Sequence, residues 1–261
     1  MIDKKENMNV VAIVQARFAS TRLRGKIFKN LVDQPMLKHV VNRLSYSKFI
    51  NKVVVATTTE TDDDQVEAYC KLNTIPCYRG NSNDVLARYF EAAKIFRANT
   101  IVRITADCPL IDPEIVDKMI ETFNKLNELK YFDYLSNTIH RTFPRGLDVE
   151  VFSFTALRKA FYHSTKEYER EHVTPYIYEH SKLFRIKNYP NPKDYSFHRW
   201  TVDTEEDFKL VEEIYKALFS TKKIFLFNDI LKLFEERPDL ITINQHIKQK
   251  KMGDKNETHS P

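Results

Sequence analysis

Val10-Val-Ala-Ile-Val14 leads through Gln15 into Ala16-Arg-Phe-Ala-Ser-Thr-Arg-Leu-Arg-Gly-Lys26. The first stretch is an apolar, β-rich run that reads as a buried strand. The second places Arg17, Arg22, Arg24 and Lys26 within ten positions. A strand that opens into a loop this basic suits a ligand with several negative charges. A triphosphate is the obvious one, because arginine forks and a lysine point charge both match phosphate oxygens. The loop is not a P-loop, since Gly25-Lys26 is followed by Ile27, and its single glycine makes no dinucleotide fingerprint. Any phosphate grip must therefore come mainly from side chains. A solvated basic loop is the plain alternative on charge count. Position speaks against it, because ligands of open α/β sheets bind outside the carboxyl ends of strands, where this loop would sit.

Working outward, strand-like and helix-like segments alternate. Met36–Ser45 has helical apolar spacing, Lys52–Thr57 is a β-branched strand, and Asp62–Asn73 opens with acids suited to a helix start. Ile75–Arg79, the helix Asp84–Ala98, the strand Thr100–Thr105 and the helix Pro113–Asn127 continue the pattern. The alternation predicts an α/β fold, a three-layer α/β/α sandwich around a mostly parallel, Rossmann-like sheet. Past residue 130 the pattern changes. Tyr131–Ser136, Leu147–Phe152, Phe184–Tyr189 and His198–Val202 read as strands, with one helical stretch at Glu167–His180. An antiparallel extension is expected there, followed by helices at Thr204–Leu218 and Asn228–Glu236. One domain over 9–236 is the expected organisation: a nucleotide-binding half at 9–130, a sugar-binding and dimerisation half at 131–220, and a helical segment at 221–249. The polar ends, 1–8 and 250–261, read as disordered tails.

Bulk properties limit the function classes. The 261 residues are 42% hydrophobic and 30% charged, with a net charge of +5 spread along the chain, which suits an anionic small substrate and does not demand nucleic acid. No apolar run approaches 18 residues, so no membrane insertion is expected, and Met1–Met8 lacks the apolar region of a signal peptide. Cys70, Cys77 and Cys108 lack metal-ligand spacing and point to reduced thiols in a cytoplasmic protein.

Two further loops fall at strand ends. Asp107 follows the strand that closes at Thr105, and Asp203 follows Arg199-Trp-Thr-Val. Two carboxylates beside a basic loop make a hard-cation site, since Mg²⁺ takes one or two carboxylates and fills its shell with water and phosphate. Taken singly, each has a plainer reading: Asp203 or Thr204 as a helix cap, and Asp107 closing a turn. Asp62-Asp63-Asp64 spells a metal motif but stands at a helix start, where capping explains it. Cys108 has no histidine placed beside it by any motif, so a thiol nucleophile is not the reading.

Together the three loops resemble the cytidylyltransferase family that makes CMP-activated acidic sugars, which includes the Kdo and acylneuraminate enzymes. Those open with a strand followed by Ala-Arg-x-x-Ser-x-Arg-Leu-x-x-Lys. The branch named for the spore-coat polysaccharide biosynthesis protein SpsF is the most similar. It is suggested by Asp84-Val-Leu-Ala-Arg-Tyr89, Arg103-x-Thr-x-Asp-Cys-Pro-Leu-Ile-Asp112, Gly146-Leu-Asp-Val-Glu150, Arg170-Glu-His-Val-Thr-Pro175 and Arg199-Trp-Thr-Val-Asp203. The resemblance covers residues 9 to 220.

It implies a nucleotide-diphospho-sugar transferase fold and a Mg²⁺-dependent reaction with CTP that releases pyrophosphate. It assigns Arg17, Arg22 and Lys26, with Asp107, to catalysis, and Ala16 and Ser20 to the nucleotide site. Asp107 and Asp203 would hold the metal. The loop Asn81, Ser82 and Asn83 stands where related enzymes recognise cytosine, although such a loop also reads as an ordinary helix cap. Thr-Ala-Asp-Cys-Pro at 105–109 departs from the Kdo enzymes, so a Kdo acceptor is not implied. Arg145, Asp148, Glu150 and His172 are the candidates for an anionic sugar acceptor, with Arg141 beside them. The resemblance also suggests a homodimer. A sugar-phosphate nucleotidyltransferase using another nucleotide and a non-catalytic nucleotide-binding module are the alternatives.

Overall fold

A computed structural model describes residues 8–249 apart from Thr21, Thr221 and Lys223. The expected tails, Met8 aside, lie outside the described residues. Strand β1 (Val10–Gln15) runs through the centre of the sheet. Val10, Ala12 and Val14 enter one apolar cluster, while Val11 and Ile13 enter the other. Burial on both faces is what a central strand between two helical layers requires, and it explains the unbroken apolar run. Each such valine or isoleucine contributes about 1.5–3 kcal/mol.

The remaining elements follow in order. A short ribbon, β2 (Asn30–Leu31) and β3 (Gln34–Pro35), precedes α1 (Met36–Ser45) and β4 (Lys52–Thr58). Next come α2 (Asp64–Leu72), β5 (Cys77–Gly80), α3 (Val85–Ile95), β6 (Thr100–Thr105) and α4 (Pro113–Leu129). The second half contains β7 (Tyr134–Ser136), β8 (Glu150–Ser153), α5 (Phe154–His163), α6 (Glu167–His172), α7 (Pro175–Glu179) and β9 (Ile186–Asn188). Helices α8 (Glu205–Leu218) and α9 (Phe227–Glu236) and a 3₁₀ turn at Pro238–Ile243 follow.

The seven-stranded sheet among the described residues has the order β5-β4-β1-β6-β8-β7-β9. Strands β5, β4, β1 and β6 are parallel; β8 pairs antiparallel with both β6 and β7, and β9 returns parallel to β7. The chain winds outward from β1 to β5, then crosses back to β6 on the other side of β1. The carboxyl ends of β1 and β6 are therefore the switch point, where such sheets place their ligands. Helices α1, α2, α4, α8 and α9 pack on one face, and α3, α5 and α7 on the other.

Three expectations are corrected. His198–Val202 is not a strand; its one ladder contact is an isolated bridge between Arg145 and Arg199. β8 has already taken the free edge of β6, so this segment has no strand to join. The single helix expected at Glu167–His180 is two. Pro175 cannot continue a helix, and Val173 at φ 73°, ψ −53° forms a γ-turn closed by Thr174 N–H to His172 O at 2.9 Å. Helix α5, capped by Ser153 on Ala156 N–H, stands where no element was expected.

Candidate functional site

Three loops meet at the switch point. β1 hands its carboxyl end to both neighbours: Ala16 N–H donates to Ala56 O at 3.1 Å, and Ala106 N–H to Gln15 O at 2.9 Å. The basic loop then folds back on itself, with Ser20 and Gly25 N–H both donating to Phe18 O at 2.9 Å. Gly25 sits at φ +68°, and a Cβ there would come within 2.8 Å of the Phe18 ring, so the turn that aims Lys26 requires glycine. Asp63 anchors the loop from the β4 side. It accepts from Phe18 N–H at 2.6 Å, Thr58 N–H at 3.1 Å and the Thr58 hydroxyl. This corrects the capping explanation for Asp63, because its side chain makes no cap bond to α2.

Lys26 is 8% exposed, and its ammonium donates to Asp107 Oδ2 at 3.0 Å, Asp203 Oδ1 at 2.9 Å and Val202 O at 2.8 Å. Asp107 arrives from the end of β6. Asp203 arrives from the segment after Trp200, which Val202 N–H to Asp107 O at 2.8 Å ties to the β6 loop. Gly146 makes that segment's path possible: a Cβ there would lie 2.5 Å from the Trp200 backbone. Asp203 Oδ2 accepts from Arg22 at 2.9 Å and from Arg199 at 2.8 Å. Arg199 in turn is held by Asp207, Nε to Oδ1 at 2.9 Å and Nη2 to Oδ2 at 3.0 Å. Thr204 caps α8 in a capping box with Asp207, which leaves the Asp203 carboxylate to face Lys26.

Burial opposes the charge on Lys26, but Asp107 and Asp203 more than offset it and raise its pKa. Burial likewise opposes ionisation of Asp107, yet Lys26 and the Thr105 hydroxyl hold its carboxyl below the usual range. Lys26 and Asp107 therefore meet as an ion pair, with Asp203 on the ammonium's other side at 2.9 Å. Burial, then the charges of Asp107 and Asp148, push the Cys108 thiol well up, which leaves it no thiolate character.

A cavity of about 180 Å³ opens above the cluster. Ala16, Arg17, Ser20, Arg22, Lys26, Asp107 and Asp203, all expected at the nucleotide or metal site, line it. Arg17 is exposed and forms no hydrogen bond or ion pair among the described residues. Arg24 turns away to Asp62 at 2.8 Å. Asp107 and Asp203 are the two carboxylates at this cavity, with Lys26 between them, and no group of three metal-binding side chains occurs among the described residues.

The other expected residues stand outside this cavity. Asn81 Oδ1 accepts from Asn83 N–H at 2.8 Å, and Ser82 donates to Glu60 at 2.7 Å; Asp84 caps α3 on Ala87 N–H. Asp148 is paired with Arg141. Glu150 accepts from Arg103 and from the Tyr134 hydroxyl at 2.8 Å. Burial lowers the pKa of His172, and Arg103 lowers it further, while Glu171 raises it. Arg145 makes no side-chain bond among the described residues; burial lowers its pKa, and it lies within the fields of Arg141, Asp148 and Arg199. Arg170, which the sequence offered either as a substrate contact or as part of a surface or interface cluster, clamps Asp84 through Nε at 3.0 Å, and Arg199 is a site residue to which sequence reasoning gave no role.

A mostly parallel sheet with phosphate-matching cations and paired acids at its switch point defines an α/β nucleotidyltransferase. The chain belongs to the cytidylyltransferase family, whose model matches residues 11–253. It is 37% identical over 246 residues to the uncharacterized protein MJ1063 of Methanocaldococcus jannaschii, covering 93% of this chain and 97% of that one. It is 29% identical over 241 residues to the spore coat polysaccharide biosynthesis protein SpsF of Bacillus subtilis, covering 90% and 97%. The structure of a cytidylyltransferase from Leptospira borgpetersenii superposes with a TM-score of 0.85 at 38% identity, covering 94% of this chain and all of that one. No helix among the described residues is long and apolar enough to cross a membrane.

Proposed function

We propose that the protein transfers CMP from CTP to an acidic sugar or sugar-like acceptor, with release of pyrophosphate, in surface-glycan synthesis. The observation that carries this is Lys26, fixed between Asp107 and Asp203 beneath a cavity that Arg17 and Arg22 also line. The acceptor oxygen attacks the α-phosphorus, the bond to the β-phosphate oxygen breaks, and the acceptor proton leaves to solvent. Such displacements need positioning and charge neutralisation more than covalent chemistry. Lys26 and Arg17 receive the charge that develops on the pyrophosphate, and Arg22 holds the phosphate chain. Asp107 and Asp203 would hold Mg²⁺, which supplies neutralisation of phosphate oxygens when bound. Arg145, which makes no side-chain bond among the described residues, suits the acceptor's anionic group.

Calorimetry with CTP, UTP, GTP and ATP, each with and without Mg²⁺, tests this reading. Metal-dependent preference for CTP is expected. Equal affinity for all four nucleotides by folded protein removes the CTP assignment.

A further inference from the structure

Asp203 Oδ2 carries two arginines of different standing. Arg22, at 2.9 Å, belongs to the cavity, which it lines. Arg199, at 2.8 Å, is buried and lines none of that cavity. The proposed transfer takes Arg22 to the phosphate chain, and Asp203 then depends on Arg199 for its charge balance. Without Arg199 in place, the Asp203 carboxylate would compete with phosphate for Arg22.

What holds Arg199 comes from the segment after α9. Asn244 follows the 3₁₀ turn at Pro238–Ile243 and is 3% exposed. Its Nδ2 donates to Asp207 Oδ1 at 2.8 Å and to Arg199 O at 2.9 Å, which spends both hydrogens of the amide. Asp207 is fully buried and accepts on the same Oδ1 from Arg199 Nε. Its Oδ2 accepts from Arg199 Nη2 and from the N–H groups of Asp203 and Thr204, at 3.0, 3.0 and 3.1 Å. With its acceptor sites filled, Asp207 cannot turn away from Arg199. Gln249, in the same segment as Asn244, accepts from Arg199 Nη1.

We infer that Asn244 is a positioning residue for nucleotide binding: by locking Asp207 to Arg199 it keeps Arg199 on Asp203 and so releases Arg22 to the phosphates. This rests on the CTP reading above. Asn244 lines no part of the cavity and acts only through Arg199. A packing role for the same residue would affect the protein without regard to Arg22.

The test is a double-mutant cycle on CTP affinity, by calorimetry with Mg²⁺ present throughout. It compares wild type, Asn244→Ala, Arg22→Met and Asn244→Ala/Arg22→Met, with a melt of each to establish that it is folded. Arg22→Met keeps Lys26 and Arg17 for the phosphates, so its baseline stays measurable. Asn244→Ala should bind CTP about 10-fold more weakly. In the Arg22→Met background the same substitution should have no further effect, because the residue it acts through is gone. Equal losses in the two backgrounds overturn the inference, as does wild-type affinity in Asn244→Ala. If Asn244→Ala does not fold, Asn244→Ser, which gives up one of the two donated bonds, replaces it in the cycle under the same criteria. A wild type that does not bind CTP defeats the CTP reading and this inference together, whereas equal losses leave that reading standing.

Discussion

The ammonium of Lys26 lies 2.9 Å from Asp203 Oδ1, joining residues 177 positions apart in the chain. That one bond closes the basic loop over the acidic loops and sets the height of the cavity floor. Replacing Lys26 with Met leaves Asp107 and Asp203 facing each other in a largely buried space. Removing one partner of a buried pair costs about 3–5 kcal/mol. We expect Lys26→Met to lose about 3 kcal/mol of stability and to cut nucleotidyl transfer at least ~10²–10³-fold. Lys26→Met/Asp107→Asn should regain part of the stability but none of the activity. Denaturant melts and a pyrophosphate-release assay separate the two effects, and additive stability losses in the double variant would count against the coupling.

How much of this was readable from the chain depends on the distance over which each feature is fixed. β1, β4 and β6 announce themselves because strands buried on both faces must be apolar and β-branched. Lys26 and Asp107 are legible because each lies in a loop that leaves a strand end. Asp203 is expected beside them only through a strand at His198–Val202 that does not form, and the Val202 N–H to Asp107 O bond brings it there instead. Asp63 was misread because an acid before a helix looks like a cap in one dimension; its partners Phe18 and Thr58 come from other elements. His198–Val202 has strand-like residues, but a strand also needs a free edge. Helix α5 was masked by its aromatics, although Ser153 with Ala156, Leu157 and Ala160 carried the cap and the period.

Val32 is the first of two residues joining β2 to β3, and it sits at φ 60°. A tight hairpin with positive φ at that position wants glycine, and a β-branched residue there is strained. Val32 is 52% exposed, so its side chain contributes little packing. Val32→Gly should raise stability by about 1 kcal/mol, or about 2–4 °C in melting temperature. Calorimetric melts decide it, and an unchanged or lower melting temperature would show that the turn bears no strain.

His198 packs among aromatic rings, 4.2 Å from Phe197, 5.2 Å from Phe234 and 5.7 Å from Trp200 by centroid. Burial lowers its pKa from the ordinary 6.5 to about 4. Between those values the unfolded chain takes up a proton that the folded ring refuses. The unfolded state then binds more protons, so stability rises with pH across this window and is lost as pH falls from 6.5 toward 4. Above 6.5 the ring is neutral in both states and adds no slope. His198→Phe keeps a planar apolar ring and removes the titration. Its stability should match wild type within about 1 kcal/mol at pH 8 and exceed it on the order of 2 kcal/mol near pH 4. Urea melts at pH 8, 6 and 4.5 follow the divergence, and parallel declines in the two proteins would assign the acid sensitivity to other groups.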